Sequence, residues 1–229
     1  MHRLLADTET IGSDVPALAA DAARHLRVLR PEEGERFELF DGKGLFRTYS
    51  FSGGTLRAAS DARLAPRPTP LTLFACVTKG SRWDWTVEKA TELGVTRIVP
   101  VISDRTIVRI AKGERAAKRA RWTRIAEDAA RQSDAKWIPD ILEPVDFSAS
   151  LALVAETDCL VGALTDPPSP PIAGAGGNAV YIGPEGDFTP DELSALVKVA
   201  RPVSLGPTIL RAETAAIFAV SVLAASMQR

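Results

Sequence analysis

Three segments of this 229-residue chain concentrate the residue types that could do chemistry. Gly183-Pro184-Glu185-Gly186-Asp187-Phe188 places a carboxylate between two glycines. Leu205-Gly206-Pro207-Thr208-Ile209-Leu210-Arg211-Ala212-Glu213-Thr214 sets an apolar pair beside a guanidinium and a second carboxylate. The third segment, Thr165 to Pro171, is stiffened by four prolines. Glycine lets backbone approach a ligand closely, and proline holds a loop in shape. Taken singly, Gly-Pro pairs are ordinary turns. The Leu205–Thr214 segment differs, because Ile209 and Leu210 are apolar where a solvated loop is polar. An apolar wall with Arg211 and Glu213 beside it suits a heteroaromatic ligand. These turns carry no Gly-x-Gly-x-x-Gly and no Gly-Lys-Ser/Thr, so a dinucleotide or nucleoside triphosphate has no recognisable cradle. A nucleoside without phosphates fits better.

Such loops need a scaffold, and the pattern from residue 71 onward supplies one. The apolar run Leu71–Val77 is followed by a helix over about 83–93 closed by Gly94, a strand over 95–101, and a basic helix over about 114–132. A strand over 137–142, a helix over 147–155, strands over 159–164 and 179–182, a helix over 190–200, a strand over 202–205 and a last helix over 213–227 complete the series. Thr189, Pro190 and Glu192 spell a capping box at the start of the 190 helix. This alternation predicts an α/β fold with a parallel sheet covered by helices, in which ligands bind beyond the carboxyl ends of the strands. All three loops leave such ends. Before residue 71, Pro66, Pro68 and Pro70 mark an extended linker over 61–70. Ahead of it, Arg36–Phe40, the turn Asp41-Gly42-Lys43-Gly44 and Leu45–Phe51 predict a small β-rich domain.

Composition removes several function classes. Hydrophobic residues make up 45% and charged residues 25%, as in folded globular chains. The longest apolar stretch, Ala215–Met227, is too short to span a bilayer, and the acidic start Asp7-Thr8-Glu9 interrupts any signal-peptide core, so a cytoplasmic protein is expected. Cys76, Cys159, His2 and His25 are too few and scattered for a disulfide framework or a zinc site; reduced thiols and no metal are expected. The net charge of −1 hides a segregation: residues 105–136 hold ten basic and four acidic groups. That is the footprint of a polyanion-facing surface, or of a solvated helix face with paired charges.

Together, Lys79-Gly80, Glu88-Lys89-Ala90-Thr91-Glu92-Leu93-Gly94-Val95, Arg121-Trp122-Thr123-Arg124-Ile125 with Gln132-Ser133, Ile182–Gly186, and Leu205-Gly206 with Ile209–Ala215 resemble the bacterial ribosomal RNA small subunit methyltransferase E family. His25–Arg30 extends the resemblance to the first domain. The resemblance implies a PUA-like β-barrel over 1–68 and a SPOUT-type methyltransferase domain with a C-terminal trefoil knot over 71–229. It also implies a homodimer that uses S-adenosylmethionine to methylate N3 of a uridine in 16S ribosomal RNA. The sequence departs from the family pattern at Asp187 and Asp134-Ala135, where the family has a glycine and Gly-Arg, at Thr208, where arginine is common, and at Arg131, where Glu usually precedes Gln-Ser.

On this resemblance the donor pocket comprises Leu164, Thr165, Gly183, Pro184, Glu185, Gly186, Leu205, Gly206, Ile209, Leu210 and Thr214. Methyl transfer to N3 requires a proton acceptor and a partner for the charge that develops on the carbonyl oxygens. Arg211 is the candidate partner. Glu213 or Glu185 is the candidate acceptor, and either could instead orient Arg211 or cap the following helix. Candidate RNA contacts are Arg27, Arg30, Lys79, Arg105, Arg121, Arg124 and Arg131, on 16S ribosomal RNA or the small subunit. Trp122, in step with Ala126 and Ala130, reads as core. A non-catalytic RNA clamp, and a SPOUT enzyme acting on ribose 2′-oxygen or transfer RNA, are the competing readings.

Overall fold

In the computed structural model, which describes residues 1–165 and 167–227, the chain divides into two units. The first comprises residues 1–68 with 127–138, and the second comprises 69–126 with 139–227. The alternating segments of the first unit form β1 (His2–Leu5), β2 (Arg36–Phe40), β3 (Leu45–Ser52), β4 (Thr55–Ala58) and the short β5 (Arg63–Leu64). They pair in the order β1-β2-β3-β4, with β5 also on β3, and β1 is the one parallel neighbour. Asp41 sets the β2–β3 turn, its Oδ1 accepting the N–H groups of Lys43 and Leu45. Leu4, Phe37, Leu39, Tyr49 and Leu56 form the core of this unit.

The structure adds to the β-rich expectation here in two ways. Helices α1 (Thr8–Gly12) and α2 (Ala20–Leu29) lie between β1 and β2. The proline-rich segment is not wholly free linker either, because β5 pairs with β3. The 127–138 segment joins this unit through charge. Buried Arg3 donates to the carbonyls of Ala130 (2.6 Å) and Ala135 (2.9 Å) and to Glu38 (2.8 Å), while Lys136 reaches the same Glu38 oxygen at 2.6 Å. Trp137 and Ile138 fill the space above Gly44 and Gly42, where a Cβ would come within 2.5 and 2.4 Å of their side chains.

In the second unit, β6 (Thr72–Cys76), β7 (Arg97–Ile102), β8 (Asp140–Ile141), β9 (Val145–Asp146), β10 (Cys159–Gly162), β11 (Ala179–Ile182) and β12 (Arg201–Val203) form a seven-stranded sheet. The order is β12-β10-β11-β6-β7-β8, with β9 also on β7, and every pairing is parallel. Its helices are α3 (Ser81–Glu92), α4 (Arg115–Gln132, the first part belonging to this unit), α5 (Phe147–Val154), α6 (Pro190–Leu196) and α7 (Ala212–Met227). The strand expected over 137–142 shrinks to two residues, because Trp137 bridges to Lys43 and Ile138 bonds to the Gly42 carbonyl. The capping box forms: the Thr189 hydroxyl accepts from the Glu192 N–H, and Glu192 accepts from the Thr189 N–H at 2.9 Å. Trp122 is core, 2% exposed and edge-on to Trp83.

Both cysteines are buried, and burial pushes each thiol up to about 12. Neither is a nucleophile at neutral pH. The folded protein should therefore resist iodoacetamide at pH 8 and label on unfolding. A raised thiol favours the folded state while protonated, so this contribution is present below the thiol's unfolded value near 9 and fades as pH climbs toward 12. Stoichiometric labelling of the native protein would contradict the burial.

Candidate active site

Because β12, β10 and β11 are consecutive in the sheet, the loops leaving their carboxyl ends meet. They enclose a cavity of about 320 Å³. Its walls are largely apolar, from Leu164, Ile182, Pro184, Leu205, Ile209 and Leu210, with Glu185, Asp187, Thr208 and Arg211 as the polar residues. Gly162 at the end of β10 allows this closure, since a Cβ there would lie 2.9 Å from Leu205 Cδ1. Gly206 sits at φ +125°, open to glycine alone without strain.

The Gly183–Phe188 loop is clamped from outside. Arg105 donates to the carbonyls of Gly186 (3.0 Å) and Phe188 (3.2 Å). Glu192, already in the capping box, also accepts from the Asp104 N–H at 2.9 Å. Asp187 adopts φ +60°, and its Oδ1 accepts the Phe188 N–H at 2.7 Å. Asp134 stands at φ +62°. Aspartate tolerates this left-handed region better than most residues other than glycine.

Of the residues expected from the sequence, Leu164, Gly183, Pro184, Glu185, Leu205, Gly206, Ile209, Leu210 and Arg211 line the cavity together. Thr165, Gly186, Glu213 and Thr214 do not. The Thr165 hydroxyl bonds within its own loop, to the Pro167 carbonyl and the Ser169 hydroxyl. Glu213, in the first turn of α7, is not part of the lining and pairs with Arg82, whose Nε is 3.8 Å from Glu213 Oε1. Arg82 Nη1 also lies 3.6 Å from Glu185 Oε1. Arg82 escapes a reading by local motif because both carboxylates are distant in sequence. Of the further lining residues, Gly162 and Ile182 end β10 and β11, and Ala163, Asp187, Thr208, Ala212 and Ala215 belong to the same three loops or the start of α7.

The expected RNA contacts divide. Arg27, Arg30, Lys79 and Arg124 are exposed side chains on the surfaces of their own units. Arg121 is exposed but paired with Asp84, Arg131 pairs with Asp128 at 3.1 Å, and Arg105 holds the loop described above. Among the described residues no group of three or more His, Cys, Asp or Glu side chains gathers as a metal site, and no helix is long and apolar enough to cross a membrane.

Residues 65–224 match the family model described as an RNA methyltransferase domain. The ribosomal RNA small subunit methyltransferase E of Synechocystis sp. is 31% identical over 99% of this chain and 78% of its own length. The chain belongs to the ribosomal RNA small subunit methyltransferase E family. The family member from Mycobacterium bovis is 33% identical over 86% of this chain and 80% of its own. Among solved structures, a small subunit methyltransferase E of Neisseria gonorrhoeae bound to S-adenosylmethionine superposes with a TM-score of 0.85 at 30% identity, covering 100% of this chain and 97% of that one. A Legionella pneumophila protein solved with bound cofactor SAM gives a TM-score of 0.80 at 31% identity, over 98% and 97% of the two chains. Two aspartates, Asp187 and Asp134, stand in left-handed backbone, at the two positions where the resemblance leads one to expect glycine.

Proposed function

We propose that this chain transfers the methyl group of S-adenosylmethionine to N3 of a uridine in 16S ribosomal RNA. The cavity built by three strand-end loops, apolar on its walls and carrying Glu185 and Arg211, is the observation behind this reading. Its volume of about 320 Å³ suits a nucleoside-sized ligand, and its turns offer no phosphate cradle. Leu164, Gly183, Pro184, Leu205, Gly206, Ile209 and Leu210 would hold the cofactor. When bound, the cofactor supplies an electrophilic methyl group on a cationic sulfonium.

The chain's own residues supply the rest. Glu185 lines the cavity and takes the N3 proton. Arg211 faces the uracil carbonyl and receives the charge that appears there as the proton leaves. It cannot serve the methyl side, where a second cation would oppose the sulfonium. Glu213, which does not line the cavity, is left with an orienting role. Exposed Arg27, Arg30, Lys79 and Arg124 provide phosphate contacts to the RNA, a substrate expected in the cytoplasm.

The same reading includes the fold's finer features. The chain leaves β12 at the sheet edge, yet α7 packs back on β6 and β11. That return past the loops of β10 and β11 supports a trefoil knot. The first-unit sheet supports a PUA-like barrel over residues 1–68, extended by the 127–138 segment, ahead of a methyltransferase domain over 71–229. Phe218 on α7 is 40% exposed and Ile209 83% exposed, apolar surface that a homodimer would cover. A non-catalytic clamp has no use for an apolar cavity beside Glu185 and Arg211.

Calorimetry with S-adenosylmethionine in the presence of a chelator tests the cofactor assignment. Metal-independent binding at one site per chain is expected. Absence of heat at high micromolar donor would overturn it.

A further inference from the structure

Arg82 stands in the first turn of α3, half-exposed, with one carboxylate on each side. Glu185 Oε1 lies 3.6 Å from its Nη1 and Glu213 Oε1 lies 3.8 Å from its Nε. The two carboxylates differ. Glu185 lines the cavity, while the Glu213 side chain is only 12% exposed and its Oε2 is buried without a hydrogen-bond partner. A buried carboxylate oxygen is retained at a cost unless its charge is compensated. Among the ion pairs of the described residues, Arg82 is the cation that reaches both. Helices α3 and α7 pack against each other, so Arg82 and Glu213 are held by rigid elements, whereas Glu185 sits on a loop.

We propose that Arg82 is a positioning residue: anchored by Glu213, its guanidinium orients the Glu185 carboxylate toward the substrate nitrogen. This rests on the reading above, in which Glu185 accepts the N3 proton. The arrangement runs from the 12% exposed Glu213 anchor through the half-exposed Arg82 bridge to the cavity-lining Glu185, 23% exposed. It also explains a second carboxylate near the site that does not reach the cavity. With Arg82 removed, Glu185 loses its charge partner and Glu213 is left as an uncompensated buried anion. A small misplacement of a reacting group costs rate far more than it costs binding.

The test is a kinetic cycle on full-length protein with saturating donor and small-subunit substrate. Arg82→Ala should lower kcat on the order of 100-fold, the typical cost of a misplaced group, with the KM values for donor and RNA little changed. Arg82→Lys should recover part of the loss, since it restores the charge without the planar fork. In the double variant Arg82→Ala/Glu185→Gln the losses should not multiply, because Arg82 acts through Glu185. Multiplying losses, or an Arg82→Ala defect confined to the KM for RNA, would overturn the positioning role and make Arg82 an independent RNA contact. Should Arg82→Ala fail to fold, Arg82→Gln carries the same cycle. If Glu185→Gln methylates at the wild-type rate, the acceptor assignment falls. If Glu185→Gln is slow and Arg82→Ala is not, only the inference about Arg82 falls.

Discussion

Arg211→Ala is expected to methylate about 100- to 1,000-fold more slowly than wild type at saturating donor and RNA, the usual cost of removing one preorganised oxyanion donor. The expectation is large because Arg211 lines the cavity at the point where the loop leaving β12 meets α7. The loss should be chemical and not structural. The Arg211 carbonyl accepts the Ala215 N–H at 2.8 Å, a backbone bond that alanine keeps, and the side chain is exposed. Donor affinity should survive, since a cation gains nothing from the sulfonium. Arg211→Lys should rescue poorly, as one ammonium cannot reproduce a planar fork. Single-turnover rates beside donor calorimetry separate the two effects. Wild-type turnover in the alanine variant would return Arg211 to the role of a loop residue.

Glu38→Ala should strongly destabilise the first unit. Its carboxylate is 4% exposed and lies between the Arg3 guanidinium, itself 6% exposed, and the Lys136 ammonium. Removing one partner of a buried ionic cluster costs about 3–5 kcal/mol, toward the lower end here because the more exposed Asp134 still reaches Arg3 at 3.2 Å and Lys136 at 2.7 Å. Against a total stability of about 5–15 kcal/mol, that is a large fraction. The change should lower the thermal midpoint by about 6–20 °C in a chain of this size. Glu38→Gln should cost less, keeping an acceptor for Arg3. Thermal melts of both variants followed by circular dichroism would show this order, and an unchanged midpoint for Glu38→Ala would mean the cluster contributes nothing net.

The Arg3 cluster also shows where sequence reading stops. Arg3, Glu38 and Lys136 are ordinary charged residues in the sequence, and nothing local joins the first strand to a segment beyond residue 126. The strand expected at 137–142 failed for that reason: Trp137 and Ile138 answer to Gly44 and Gly42, not to the parallel sheet. Helix α2 was hidden differently. Its N-cap, Ala19, offers no side-chain cap, and it buries no residue fully although Leu26 and Leu29 pack on the core, so no capping signal announces it. The second unit was far more legible, because continuous apolar strands such as Thr72–Cys76 and the Thr189–Glu192 capping box are local signals. So were the cavity loops, where glycine, proline and misplaced apolar residues coincide. Arg82 was not, since its meaning comes wholly from two carboxylates that the fold brings to it.

On the proposed reading, the cavity carrying Glu185 and Arg211 methylates uridine N3 in 16S ribosomal RNA. Mass spectrometry of nucleosides from small subunits and from naked 16S ribosomal RNA, each incubated with the enzyme and methyl-labelled donor, tests it most directly. One labelled N3-methyluridine per RNA is expected with wild-type protein, and an initial rate of labelling reduced by about 100- to 1,000-fold with Arg211→Ala. Label on a ribose 2′-oxygen or on another base, or no transferred label from wild-type protein that binds the donor, would contradict it.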